Sequence, residues 1–191
     1  MSSSAYSDCS LYLQPSTTDT IASDRLVDAL RETGLVGDVL EATQHQRYLT
    51  GENYLELINY LGCSPTISFE PGTNDAGTEN RSFCHINIHQ FDTPRLILCR
   101  SQPRKPQCPS CNRPLSSWSA DDAPHTPTIT CDNCHSETAT GHYNWRKSAG
   151  FACSFIEITD IFPREAVPQP ALLDKLEKAT GTSWQYFYAC R

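Results

Sequence analysis

The amino-acid sequence predicts an α+β fold: a mixed or antiparallel sheet covered by helices and interrupted by an inserted four-cysteine metal site. Three observations lead to it. Segments with strand-like alternation and segments with helix-like periodicity are interspersed along the 191 residues, the pattern of a helix-covered sheet. Hydrophobic residues make up 38% and charged residues 19%, which excludes a disordered chain and leaves apolar side chains for a core. Two Cys-x2-Cys pairs, Cys108/Cys111 and Cys131/Cys134, stand in mid-chain with 19 residues between them, the spacing of a metal site. The chain accordingly divides into an N-terminal α+β part (1–103), the insertion (104–148) and a strand–helix–strand segment (149–191) that completes the α+β domain.

Residues 11–13 open the ordered chain as a short strand. Over 21–33, Leu26, Val27 and Leu30 recur at helical spacing and Gly34 supplies the stop. Residues 39–48 are ambiguous between helix and irregular structure. Tyr54, Leu55, Leu57, Ile58 and Leu61 make an apolar helical face over 53–61, with Thr50 as cap and Gly62 as end. Residues 66–70 read as a strand, and 71–80, with two glycines, as a mobile loop. From 82 to 91 the alternation is clear, with Cys84, Ile86 and Ile88 on one side and His85, Asn87 and His89 on the other. Asp92-Thr93-Pro94 then turns the chain into 95–100, giving an antiparallel hairpin. After the insertion come a strand over 151–158 and a helix over 169–180. Leu172, Leu173 and Leu176 line that helix, prolines open it and Gly181 ends it. An aromatic strand over 183–189 closes the chain. The stretch 26–34 resembles 172–181 with a one-residue gap, either a duplicated strand–helix unit or two amphipathic helices of similar composition.

No apolar run approaches the ~20 residues that cross a bilayer, so no membrane partner is expected. The polar first ten residues lack a basic start and an apolar run, which predicts no secretory signal and a cytoplasmic chain. The net charge of −7 argues against non-specific nucleic-acid binding. Its distribution is uneven: residues 1–92 carry 4 basic and 13 acidic side chains, whereas 93–147 carry 7 and 4. Arg95, Arg100, Arg104, Lys105 and Arg113 fall in a stretch without a single acid, which either meets an anionic partner or complements the acidic N-terminal part.

Two residues between cysteines let both sulfurs of a tight turn reach one ion, and two such turns complete a tetrahedron suited to borderline-soft zinc. An iron–sulfur centre or two disulfides would use the same four residues, and either pair alone would serve as a redox dithiol. Zinc is the reading adopted, as one structural ion. Four thiolates leave no open position for water, so the site is expected to stabilise and not to catalyse. His135-Ser136-Glu137 follows both pairs, the reverse of the order in zinc deaminases, which excludes that class. The other cysteines, Cys9, Cys63, Cys84, Cys99, Cys153 and Cys190, show no pair spacing and read as small buried hydrophobes. Cys63, beside a helix end, is the one with a claim to reactivity.

The segment 104–148 resembles the zinc-ribbon family. Pro109 sits inside the first turn as in that family's knuckles, and 115–119 and 126–130 read as short strands separated by the turn 120–124. Residues 142–146 supply a third strand. Asn112 and His135 occupy positions where glycine often follows the second cysteine. Asparagine tolerates the left-handed backbone this demands, whereas His135 is a larger departure and a competing ligand. The resemblance implies a metal and a local fold, not a function.

Outside the cysteines, His85 and His89 lie about 13 Å apart along a strand, too far to share an ion. Glu157, Asp160 and Glu165 cluster at a strand end, where paired carboxylates do acid–base work, and carry the enzyme alternative. No nucleophile elbow, phosphate-binding glycine loop or paired-histidine zinc helix occurs, and no catalytic residue is assigned. Arg100, Arg104, Lys105, Arg113, Tyr143, Trp145, Arg146 and Lys147 form the candidate partner surface, its aromatics interleaved with bases. The expectation is thus a zinc-binding interaction or adaptor module with a protein partner, and a nucleic-acid binder as the alternative.

Overall fold

The computed structural model describes residues 9–42, 46–61, 67–70, 72–73, 79–80, 83–120, 127–161 and 164–191. The N-terminal part runs β1 (Cys9–Pro15), α1 (Ser23–Thr33), β2 (Val36–Ala42), β3 (Gln46–Thr50), α2 (Tyr54–Leu57) and β4 (Ile58–Tyr60). Two two-residue strands, β5 (Gly72–Thr73) and β6 (Glu79–Asn80), precede the long β7 (Ile86–Leu98). The cysteine segment contributes β8 (Thr128–Thr130) and β9 (Glu137–Ala139). The chain ends with β10 (Ala149–Ile158), β11 (Ala166–Pro168), α3 (Pro170–Thr180) and β12 (Trp184–Cys190). Six strands form one sheet in the order β12-β1-β10-β7-β3-β2, every neighbour antiparallel.

Alternation along the central strands assigns the two faces. Leu11, Leu13, Ile86, Ile88, Ile156 and Ile158 point to the face covered by α1 and α3, whose Leu26, Leu30, Leu172 and Leu176 are buried against them. Each helix stops where glycine adopts the left-handed conformation, Gly34 at φ 74° and Gly181 at φ 78°, as the αL cap requires. Pro170 opens α3, where a missing N–H is harmless. The two similar stretches, 26–34 and 172–181, thus end alike and pack beside each other.

Among the described residues the opposite face carries no helix, yet Tyr12, Phe155 and Phe187 are buried there. Curling of the sheet explains it. Strands β7 and β12 are not neighbours in the order but come into contact, and the N–H of Arg100 donates to the Cys190 carbonyl at 2.9 Å. The concave face so enclosed is tight: Tyr12 and Phe187 stack with ring centroids 5.1 Å apart. A Cβ at Gly150 would collide with Gln14 Oε1 and the Phe187 ring.

Several sequence expectations are corrected. The turn expected at Asp92-Thr93-Pro94 does not separate two strands, because β7 continues through it and pairs with β10 on both sides. Ala152 pairs with Arg95 and Ser154 with Gln90, so 91–94 bulge out of the ladder, the one way a mid-strand proline without an N–H is accommodated. The expected helix over 53–61 is a single turn, Tyr54–Leu57, after which Ile58 pairs with Pro168 in the β4–β11 ladder. That arrangement buries Tyr54, Leu57 and Ile58 and leaves Leu55 and Leu61 61% and 72% exposed. Thr50 belongs to β3 and caps nothing. Of the ambiguous 39–48, residues 39–42 belong to β2 and 46–48 to β3, which pair antiparallel, and 43–45 lie outside the described residues. Residues 67–70 are not a strand, although Ser68 accepts from the Cys84 N–H. Cys63, Gly62 and most of 71–80 lie outside the described residues.

Candidate functional site

The four cysteines converge. Their sulfurs all lie within 4.8 Å of one another, and Cys108–Cys134 and Cys111–Cys131 are each separated by 3.8 Å. Four sulfurs at ~2.3 Å from a central ion stand ~3.8 Å apart along a tetrahedron's edges. Bonded sulfurs would be at ~2.05 Å, so these cysteines are not disulfides. The donor set fits a single four-coordinate ion.

Two matching turns hold them. The Asn112 N–H donates to the Cys108 carbonyl and the His135 N–H to the Cys131 carbonyl, both at 2.9 Å. The Cys108 and Cys131 N–H groups in turn donate to the carbonyls of Arg113 and Ser136. Closing each turn requires a left-handed residue after the second cysteine, and Asn112 and His135 supply it at φ 57° and 59°. His135 thus satisfies the backbone in glycine's place and stays outside the sulfur cluster, correcting the expectation of a competing ligand. The Ser136 hydroxyl lies 3.1 Å from Cys134 Sγ and 3.6 Å from Cys108 Sγ. Its hydrogen bond holds the Cys134 thiol below the ordinary range. Burial opposes the same effect at Cys108, but Ser136 and the Cys111 and Ser110 N–H groups outweigh it.

The cysteine segment has its own small core. Leu115, Tyr143 and Trp145 pack with Cys108 and Cys131, and this cluster rests on Leu96 and Leu98 of β7 and Ala149 of β10. The Tyr143 hydroxyl donates to the Ile129 carbonyl and the Trp145 indole to the Thr140 carbonyl. Tyr143 and Trp145, offered as partner contacts, are therefore internal, being 3% and 6% exposed. The three-stranded expectation is corrected as well. The described strands are β8 and β9, while Pro114 and Asn144 meet Gln107 only through isolated bridges and 140–142 is a 3-10 turn.

Where this segment meets the large sheet lies a cavity of about 680 Å³. Arg104, Arg146, Lys147, Arg164 and Arg191 line it, no Asp or Glu does among the described residues, and Tyr186 forms part of its wall. Three of those cations, Arg104, Arg146 and Lys147, belong to the surface expected from the sequence. Arg100, Lys105 and Arg113 do not line it; Lys105 donates to the Ser116 carbonyl and Arg113 is exposed elsewhere on the module. Arg164 and Arg191 went unseen because they sit far along the chain in segments of balanced charge. Arg146 donates to the Lys105 carbonyl at 2.8 Å, and Lys147 donates to the Tyr186 hydroxyl while lying 3.9 Å from that ring's centroid.

Glu157 occupies the concave face. Its carboxylate accepts from Ser10 (2.8 Å), Tyr12 (2.7 Å), Asn87 (2.9 Å) and His89 (2.7 Å). Burial would raise its pKa, but His89, Asn87 and Tyr12 together bring it down to about 2. His85 joins a different set: Arg47 lies 3.0 Å from Nε2, and Nδ1 faces the Phe83 carbonyl at 2.9 Å. Burial first, and then Arg47, hold its pKa below the ordinary value. Asp160 and Glu165 do not join the Glu157 network.

One correction concerns the remaining cysteines. Cys9 and Cys190, expected as small hydrophobes, face each other across β1 and β12 with Cα atoms 4.0 Å apart and form a disulfide. Cys84, Cys99 and Cys153 are buried free thiols, as expected. Among the described residues no helix is long and apolar enough to cross a membrane. Comparison with protein-family models, with curated proteins and with solved structures finds no match to this chain.

Proposed function

We propose that this chain is a non-catalytic binding protein for an anionic ligand, in which one structural zinc ion fixes a ribbon against the end of a curled sheet. The observation that carries the reading is the cavity between the two, lined among the described residues by five cations and no acidic side chain. Like charges gathered around an unfilled space destabilise a fold unless something anionic offsets them. Zinc is favoured over other ions by four sulfurs at tetrahedral spacing with hydroxyl and backbone donors stabilising the thiolates. Its role here is to order residues 104–148, a segment too small to build a stable core alone, and so to hold Arg104, Arg146 and Lys147 in position.

Catalysis is disfavoured by two features. A four-thiolate ion has no open position. Glu157, the strongest candidate acid or base, is 4% exposed and already accepts four hydrogen bonds, leaving no lone pair for a substrate proton. No observation favours a protein partner over a smaller anion.

The test is the melting temperature in millimolar sulfate at constant ionic strength, for the native protein and for an Arg104→Ala, Arg191→Ala double variant. A rise in the native protein that the variant lacks is expected. Equal shifts in both, or none in either, would defeat the reading.

A further inference from the structure

We infer that the cavity takes a compact organic phosphate, a mono- or diphosphate ester whose organic part lies against Tyr186. This rests on the anion-binding reading and adds the ligand's class.

The unfilled donors indicate the headgroup. Arg146 and Lys147 are engaged with the Lys105 carbonyl and the Tyr186 hydroxyl. Arg104, Arg164 and Arg191 make no ion pair or hydrogen bond within the described residues, although they come from three separate parts of the chain. Three guanidiniums with no acid facing them among the described residues match a group with at least two negative charges and several oxygens in one place. A phosphate ester offers both in the forked geometry that guanidinium pairs with, whereas a single carboxylate leaves most of the donors empty.

Cavity size and wall indicate the rest of the molecule. A volume of about 680 Å³ far exceeds a bare oxyanion and falls within the ~300–1,000 Å³ of organic-ligand sites. Tyr186 is half-buried and, with Val167, gives one side an apolar lining. The net charge of −7 disfavours a long nucleic-acid strand, whose binding scales with positive charge. A compact ligand keeps its charge inside.

Backbone strain gathers at the same place. Six described non-glycine residues have positive φ. Asn112 and His135 close the cysteine turns, but Arg146 (50°), Lys147 (57°) and Arg164 (67°) line the cavity. Left-handed backbone at long side chains is costly and persists where position matters for function.

Calorimetric titrations at one ionic strength with phenyl phosphate, inorganic phosphate, benzoate and an oligothymidylate of about 20 nucleotides test the inference. Phenyl phosphate is expected to bind at least ~10-fold more tightly than inorganic phosphate or benzoate. Arg164→Ala should weaken both phosphates, and Tyr186→Leu should remove only the phenyl preference; unchanged melting temperatures would certify that both variants fold. Equal binding of phenyl and inorganic phosphate would overturn the organic part, and benzoate binding as well as phenyl phosphate would overturn the phosphate. Tightest binding by the oligonucleotide, with a steep salt dependence, would replace this inference by nucleic-acid recognition while leaving an anionic ligand. Phenyl phosphate binding that ignores Arg164→Ala would locate it elsewhere and defeat the inference. Silence from all four probes would remove this inference and the anion-binding reading together.

Discussion

His89 Nε2 stands 2.7 Å from Glu157 Oε2, joining β7 to β10 inside the concave face of the sheet. Two oxygens of one buried carboxylate on β10 are thereby shared among donors from the two flanking strands, since Asn87 joins His89 from β7 while Ser10 and Tyr12 approach from β1. An apolar replacement would strand those four donors, so the network ties the sheet's centre to one protonation state.

Stability should therefore fall in acid. The Glu157 pKa is about 2 when folded, against the ordinary 4.5. A depressed folded pKa stabilises above the unfolded value and is lost as the pH drops from ~4.5 toward ~2, a contribution of ~3 kcal/mol. Denaturant midpoints of the native protein and of Glu157→Gln should converge over that window; parallel curves would show that the network carries no charge-dependent stability.

Removing the metal should loosen one end of the molecule. One zinc ion per chain is expected by elemental analysis, and Cys131→Ser should abolish it at a cost of at least ~3 kcal/mol. Faster amide exchange is expected for Cys108, Leu115 and Trp145, with the centre of β10 still protected. Full metal occupancy in the variant would contradict the assignment.

His135 offers a sharper test of the second turn. At φ 59° its side chain costs on the order of 1 kcal/mol that glycine does not, offset by glycine's greater freedom when unfolded. His135→Gly is expected to keep its metal and melt no lower than the native protein, while His135→Val melts lower because a β-branched residue resists positive φ. Metal loss in the glycine variant would make His135 a ligand after all.

The Cys9–Cys190 disulfide spans 181 residues of chain. Closing a loop of that length removes about 5 kcal/mol of unfolded-state entropy by the chain-entropy model. A Cys9→Ser, Cys190→Ser double variant should be markedly less stable to urea, and the native protein should show two more thiols after reduction than before. Identical thiol counts would refute the bridge.

Local chemistry is what the chain announces by itself. The cysteine spacing, the left-handed residue after each pair and the glycines that end α1 and α3 act within a few residues, through backbone sterics and short hydrogen bonds, and each is legible in order. So is the alternation of 84–89, because a period of two assigns faces whatever lies opposite. Long-range register decides everything else. Pro94 looks like a turn until β10 is laid beside it, and Leu55 looks like core until β4 diverts the chain to pair with β11. Cys9 and Cys190 have no spacing that marks them, yet β1 and β12 bring them face to face. The cations of the cavity are likewise 104, 146–147, 164 and 191 in the chain and neighbours only in space, because sheet curvature draws the ends of β7, β10 and β12 together. Such meetings depend on strand order and twist, which arise from the packing of the whole core and are encoded in no single segment.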